Sequence, residues 1–115
     1  MRQIEAKMCE AIRNKKDWYQ SNTQVFINKP VNCAQIFLHR NQIATYDYNT
    51  KSVLLSSCGW ETPTTKSRLN AILHEVKYGA NVYQRNFDWF VNFRQQTTSF
   101  FDGIIIHDTP ELSYS

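Results

Sequence analysis

The sequence has few cysteines and no long hydrophobic stretch. Its 115 residues include three cysteines that are widely spaced and form no CxxC pair, so neither a disulfide framework nor a zinc cluster is indicated. No apolar stretch approaches the roughly 20 residues that span a bilayer, and the first helical segment carries charges that a signal peptide lacks. The sequence therefore predicts a protein that acts inside a cell, with reduced thiols and no membrane partner.

Motifs for catalysis and for metal binding are also missing from the sequence. The three histidines lie on different predicted elements without HxH or HExxH spacing, and no cysteine has the local signature of a nucleophile. The ten acidic residues are scattered, so paired carboxylates for acid–base catalysis are not indicated. We therefore predict a protein that is not an enzyme and that uses no metal or cofactor.

The length and the charge of the chain set broad limits on its function. A chain of 115 residues fits one domain with one packed core. The 13 basic and 10 acidic side chains give a net charge of +3. This charge weakly favours anionic partners, and it is also a common margin for solubility.

Hydrophobic periodicity predicts a helix, a meander of strands and a second helix. Ile4, Met8 and Ile12 recur at helical spacing, which predicts a helix over residues 2–15. A period of two then predicts four antiparallel strands, which cover residues 23–28, 33–39, 42–47 and 51–56. A second helix is predicted over residues 64–78, because threonines can cap its start and Gly79 suits its end.

The C-terminal part of the chain predicts one or two further strands. Residues 83–93 alternate in a pattern that predicts one long strand with a bend or bulge near Phe87. Residues 100–106 are apolar enough for a buried last strand or a buried turn. The predicted fold is one α+β domain over residues 1–106 with both helices on one face of an antiparallel sheet, followed by a flexible tail over residues 107–115.

The start of the second helix is the best candidate for a binding site. A helix N-terminus offers unpaired amides and a positive dipole end, and this one adds hydroxyl and cationic side chains, namely Thr65, Lys66, Ser67 and Arg68. These residues predict phosphate contacts, while the GxxxxGK[ST] spacing of a nucleotide P-loop is absent. The alternative interpretation is a set of ordinary capping threonines beside two solvated cations.

Aromatic and basic residues of the predicted strands extend this candidate site. Sheets that bind single-stranded nucleic acid stack bases on aromatic side chains. Five aromatic residues lie near basic residues in the sequence. The aromatic residues are Tyr46, Tyr48, Tyr83, Phe87 and Trp89, and the basic residues are Arg40, Lys51 and Arg85. No RNP1-like segment is present, and alternating aromatics also suit a core or cross-strand pairs.

Three segments of the chain resemble small accessory proteins of unassigned function encoded by tailed bacteriophages. These segments are LHRNQIATYDYNT (38–50), CGWETPTTKSRLNAIL (58–73) and VYQRNFDWFV (82–91). The resemblance covers most of the chain and implies action in the cytoplasm of an infected bacterium, but it implies no catalytic residue. The middle segment also has an architectural interpretation, in which Gly59 permits a sharp exit from the sheet and Trp60 covers the open end of the core.

These observations support two classes of function. The first is a non-enzymatic nucleic-acid-binding protein that contacts phosphates at the helix start and through basic and aromatic residues of the sheet. The alternative is a protein that inhibits or modulates a host bacterial factor, in anti-defence or host takeover, through exposed aromatics. Arginine and tyrosine on the helix-free face of the sheet favour nucleic acid, and a flat apolar face favours a protein partner.

Overall fold

The computed structural model of the chain describes residues 1–108 and the backbone of residues 112–114. The first half contains α1 (Gln3–Asn14), β1 (Trp18–Gln20), β2 (Thr23–Asn28), β3 (Cys33–Leu38), β4 (Asn41–Asp47) and β5 (Val53–Leu55). The second half contains α2 (Pro63–Val76), β6 (Asn81–Arg85), β7 (Asp88–Phe93), β8 (Gln96–Ser99), β9 (Ile104–Ile106) and β10 (Leu112–Tyr114). The fold is therefore α+β, as the periodicity predicts.

Seven strands form one antiparallel sheet, which we call the large sheet. Its order is β1-β2-β3-β4-β5-β9-β10. The predicted meander is confirmed, because β2 to β5 lie side by side in chain order and end within two residues of the predicted bounds. Strand β1 was not predicted, since three residues are too few to show a period of two.

The two faces of the large sheet differ because side chains alternate along each strand. Val25 and Ile27 of β2, and Ile36 of β3, point to one face and are buried there. Residues of both helices join the same hydrophobic core, including Met8 and Ile12 of α1 together with Leu69, Ile72 and Leu73 of α2. The opposite side of the large sheet is its helix-free face.

The predicted long strand over residues 83–93 is wrong, because these residues form a hairpin. Strands β6 and β7 pair through a two-residue turn in which Asn86 and Phe87 have φ angles of 51° and 71°. Such turns usually contain Asn-Gly, because both central residues are left-handed. The phenylalanine in place of glycine hid the turn in the sequence.

Strands β6, β7 and β8 form a separate three-stranded sheet, the small sheet. Five strands follow α2 in the described part of the chain, so the prediction of one or two is wrong. Asn70 of α2 binds the edge of this sheet, because its amide donates to the Val82 carbonyl at 2.9 Å and accepts from the Val82 N–H at 2.7 Å. The small sheet is thereby attached to α2.

The C-terminal tail was predicted to be flexible over residues 107–115. Residues 109–111 and 115 lie outside the described residues. Strand β10, which was not predicted, pairs with β9 on the edge of the large sheet. The mobility of the tail stays a prediction.

Candidate functional site

A slot lies on the helix-free face of the large sheet, where β1, β2 and β3 meet. Tyr19 stands opposite Gln24, and Gln24 stands opposite Phe37, so the two aromatic residues are two strands apart on the same face. Two strand spacings are about 10 Å. The slot has a volume of about 350 Å³ and is lined by Tyr19, Ser21, Asn22, Gln24, Phe37, His39 and Arg40.

The alternation of the strands explains which side chains enter the slot. Val25 is buried, so its neighbour Gln24 must point to the helix-free face. The same rule directs Phe37 outward between buried Ile36 and Leu38. Tyr19 is 68% exposed, which leaves its ring available to a ligand.

A tight turn forms one end of the slot. His39 and Arg40 connect β3 to β4 with φ angles of 51° and 67°, and the His39 N–H donates to the Asn22 carbonyl at 2.8 Å. Both side chains are exposed. Among the described residues, the basic side chains in ion pairs are Arg13, Arg68 and Lys77, so the Arg40 charge is open to an anionic ligand.

A buried polar network lies behind Asn22. The Asn22 side-chain oxygen accepts from the Thr23 hydroxyl at 2.8 Å and from the Arg68 guanidinium at 3.4 Å. Arg68 also donates to Thr23 Oγ1 at 3.0 Å and to Glu5 Oε2 at 2.7 Å. The Arg68 and Glu5 side chains are each 4% exposed, so Arg68 fixes this end of the slot from inside the protein.

The predicted phosphate site at the start of α2 does not assemble. Thr65 and Arg68 are buried, and the Ser67 hydroxyl donates to Glu5 Oε2 at 2.6 Å. Pro63 has no N–H, and the Thr65 and Lys66 amides donate to the Thr62 hydroxyl and carbonyl oxygens at 3.1 and 3.0 Å. Thr62 caps the helix, as the alternative interpretation expected of its threonines, but Arg68 is buried and paired with Glu5, so that interpretation was wrong to make it a solvated cation.

The four remaining predicted cations do not form one patch. Arg40 and Lys51 lie in the turns at opposite ends of β4, about 20 Å apart for a seven-residue strand. Arg85 lies at the end of β6 in the small sheet, where Lys66 also donates to Gln84 at 3.3 Å. Arg40 is the one predicted site residue that lines the slot.

The rest of the helix-free face is uncharged at its centre. The register places Phe26, Gln35, Thr45, Leu54 and Ile105 in one row across five strands. Phe26 is 43% exposed, and the other four are partly buried. The face thus carries tyrosine and arginine at one end and apolar and amide side chains at its centre. The first feature is the one expected for a nucleic-acid partner, and the apolar centre is the one expected for a protein partner.

Tyr19, Gln24 and Phe37 were missed when the site was predicted from the sequence. A basic neighbour in the sequence does not mark an aromatic ring that the alternation turns away from the core. The pattern that buries Val25 and Ile36 places Gln24 and Phe37 on the other face, so these two residues could have been found.

Among the described residues, no group of three or more His, Cys, Asp or Glu could hold a metal ion.

The fold and the slot define a class of protein, a small α+β domain with two antiparallel sheets and one helix-free sheet face. A family model described as the Kyanoviridae Gp96 protein matches residues 1–107. The chain belongs to this family of tailed cyanophage proteins, which confirms the resemblance seen in the sequence. Comparisons with curated proteins and with solved structures gave no match.

Membership of a phage family agrees with the predicted action in an infected bacterium. The cytoplasmic location stays a prediction. No helix in the described part of the chain is long and apolar enough to cross a membrane.

Proposed function

We propose that this phage protein binds single-stranded nucleic acid across the helix-free face of the large sheet. The observation that supports the proposal is the slot, which has an aromatic residue on each side, the Gln24 amide between them and Arg40 at one end. Proteins that bind single strands stack bases on aromatic rings and contact phosphates with basic side chains. The slot offers both kinds of contact within one site.

The chemistry of the slot favours a single strand over a duplex. A base presents its face to an aromatic ring only when it is unstacked from its neighbours. Gln24 lines the slot with an amide group that can both donate to and accept from the edge of a base. The Asn22 oxygen already accepts from Thr23 and Arg68, so Asn22 offers a base only its NH2 donors. In this proposal, the Arg40 guanidinium at the end of the slot contacts the phosphate that follows the stacked base.

This proposal keeps the predicted partner and moves the predicted site. Thr65 and Arg68 are buried. In this proposal they make no contact with the ligand, and Arg40 at the slot contacts the phosphate. Lys51 lies at the opposite end of β4 from Arg40 and Arg85 lies on the small sheet, and neither lines the slot. That the protein is not an enzyme stays a prediction.

The test measures the affinity for an eight-residue oligothymidylate by fluorescence anisotropy. Tyr19→Ala removes one stacking ring, and stacking contributes about 1–3 kcal/mol per base, so we expect an affinity loss of about 5-fold to 150-fold. Tyr78→Ala is the matched control, because Tyr78 is 82% exposed, follows the C-terminal end of α2 and does not line the slot. Equal losses in both variants, or no binding by the wild-type protein, would contradict the proposal.

Salt dependence tests the role of Arg40 in the same assay. Each phosphate contact to a single strand contributes about 0.7 to the slope of log affinity against log salt concentration. Arg40→Ala should reduce the slope by about that amount, whereas Lys51→Ala at the other end of β4 should leave it unchanged for this short ligand. A reduced slope in the Lys51 variant alone would place the phosphates elsewhere.

The centre of the helix-free face favours a second candidate function, the binding of a host protein. Its row of Phe26, Gln35, Thr45, Leu54 and Ile105 contains no charged residue, and the cores of protein interfaces are poor in charge and rich in aromatics. A cyanobacterial protein that is captured by tagged wild-type protein and lost with Phe26→Glu would support this candidate. Capture that is unchanged by Phe26→Glu would exclude this face.

A further inference from the structure

A second cavity lies on the other side of the turn that ends the slot. This cleft has a volume of about 550 Å³, and its lining includes Leu38, Ile43, Trp60 and Thr64. His39 lines both the cleft and the slot. The His39-Arg40 turn therefore separates two neighbouring cavities.

The exposed ring of Trp60 is held on an ordered loop. Trp60 is 63% exposed, so it does not cover the core as the sequence suggested. The backbone N–H of Trp60 donates to the Ser57 carbonyl at 2.9 Å. The Ser57 backbone N–H and hydroxyl both donate to the Asp102 carboxylate, at 2.7 and 2.9 Å. A large apolar ring on a fixed backbone is preorganised for contact with a ligand.

The lining of the cleft suits a base and does not suit a phosphate. Leu38 and Ile43 are buried and supply apolar surface, and Thr64 supplies a hydroxyl. Apart from His39, no lining side chain is ionisable, and the acidic Glu61 follows Trp60 in the chain. Phosphates are repelled by a nearby carboxylate, whereas tryptophan stacks on any base.

We infer that the cleft is a second base subsite, in which Trp60 stacks on a base of the same single strand that occupies the slot. This inference rests on the proposed function and extends it. The strand crosses the His39-Arg40 turn, where Arg40 contacts a phosphate in the segment that connects the two bases. A ligand must then be long enough to reach both cavities before Trp60 contributes to its affinity.

The test compares the affinities of oligothymidylates of two to ten residues for the wild-type, Tyr19→Ala and Trp60→Ala proteins. Affinity for the wild type should rise once the ligand spans both cavities. Tyr19→Ala should weaken ligands of every length, whereas Trp60→Ala should leave the shortest unchanged and weaken the longer ones by about 5-fold to 150-fold. Trp60→Phe, which keeps a ring, should retain most of the rise with length.

Three outcomes would overturn the inference, and they are distinguishable. If Trp60→Ala weakens no ligand while Tyr19→Ala weakens all, the slot binds alone and the cleft is not a subsite. If Trp60→Ala weakens every length equally, Trp60 is not a separate contact. If the wild type binds no oligonucleotide of any length, the proposed function itself fails. Melting temperatures equal to that of the wild type confirm that the variants are folded.

Discussion

The two sides of the large sheet differ in the burial and pairing of their arginine residues. On the helix side, Arg68 is 3% exposed and bonded to three different side chains. On the helix-free side, Arg40 is exposed and has no acidic partner among the described residues. The same residue type is therefore structural on one face and available to a ligand on the other.

This difference separates stability from binding. Removal of one member of a buried ion pair lowers the free energy of unfolding, and a buried side chain has no surface to offer a ligand. An exposed side chain contributes little to stability and can contribute to affinity. Substitutions on the helix side should therefore change the stability of the protein, and those at the slot should change its binding.

The largest effect is expected from Arg68→Ala. This change leaves the Glu5 carboxylate buried without its cation, and breaking a buried ion pair in this way costs about 3–5 kcal/mol. The free energy of unfolding, measured by urea denaturation, should fall by that amount. Arg40→Ala is the control and should change it by less than about 0.5 kcal/mol. Similar losses of unfolding free energy in the two variants would mean that the two faces do not differ in their contribution to stability.

The contrast between Arg68 and Arg40 also shows how far the sequence determines the site. The period of two predicts β2 to β5 because each strand buries alternate residues, and this pattern is local. The pairing of Arg68 with Glu5 joins residues 63 positions apart, and no local pattern reports it. Lys66, Ser67 and Arg68 therefore looked like a surface cluster, although the fold buries one and bonds another to Glu5.

A smaller effect is expected from Asn70→Ala, which tests how the small sheet is attached to α2. The change removes both hydrogen bonds to Val82 at the edge of β6, and an unpaired buried backbone group costs about 1–3 kcal/mol. We expect a loss of that size in the free energy of unfolding. Asn81→Ala is the matched control, because Asn81 is exposed on the same strand. An equal loss in the control would mean that Asn70 does not carry the attachment.

Phe87→Gly should increase stability, unlike the substitutions on the helix side. Phe87 is 90% exposed and has a φ angle of 71°, a conformation that is strained for a bulky residue and free for glycine. The relief of strain, reduced by the greater entropy of glycine in the unfolded chain, predicts a gain of up to about 1 kcal/mol. A higher midpoint in urea denaturation would confirm it, and a loss would mean that the ring packs against the protein in solution.

The smallest effect concerns pH and the buried thiol of Cys9. Burial, with a smaller contribution from the negative charge of Glu75, raises the pKa of Cys9 from 9.0 to about 11, and its Sγ donates to the Ala71 carbonyl at 3.2 Å. The thiol therefore stays neutral in the folded protein at a pH where it ionises in the unfolded chain. The stability that it contributes is complete below pH 9 and is lost as the pH rises toward 11.

Urea denaturation of the wild type and Cys9→Ala at pH 7, 8 and 9 would measure this contribution. The wild type should lose less than about 1 kcal/mol over this range, and the variant should lose less than the wild type. Burial also raises the pKa of Tyr48, from 10.0 to about 12, so measurements below pH 10 keep the two groups apart. Identical pH dependence in the two proteins would mean that the Cys9 thiol is accessible to water. The helix side of the large sheet would then be more accessible to solvent than the contrast between its two faces implies.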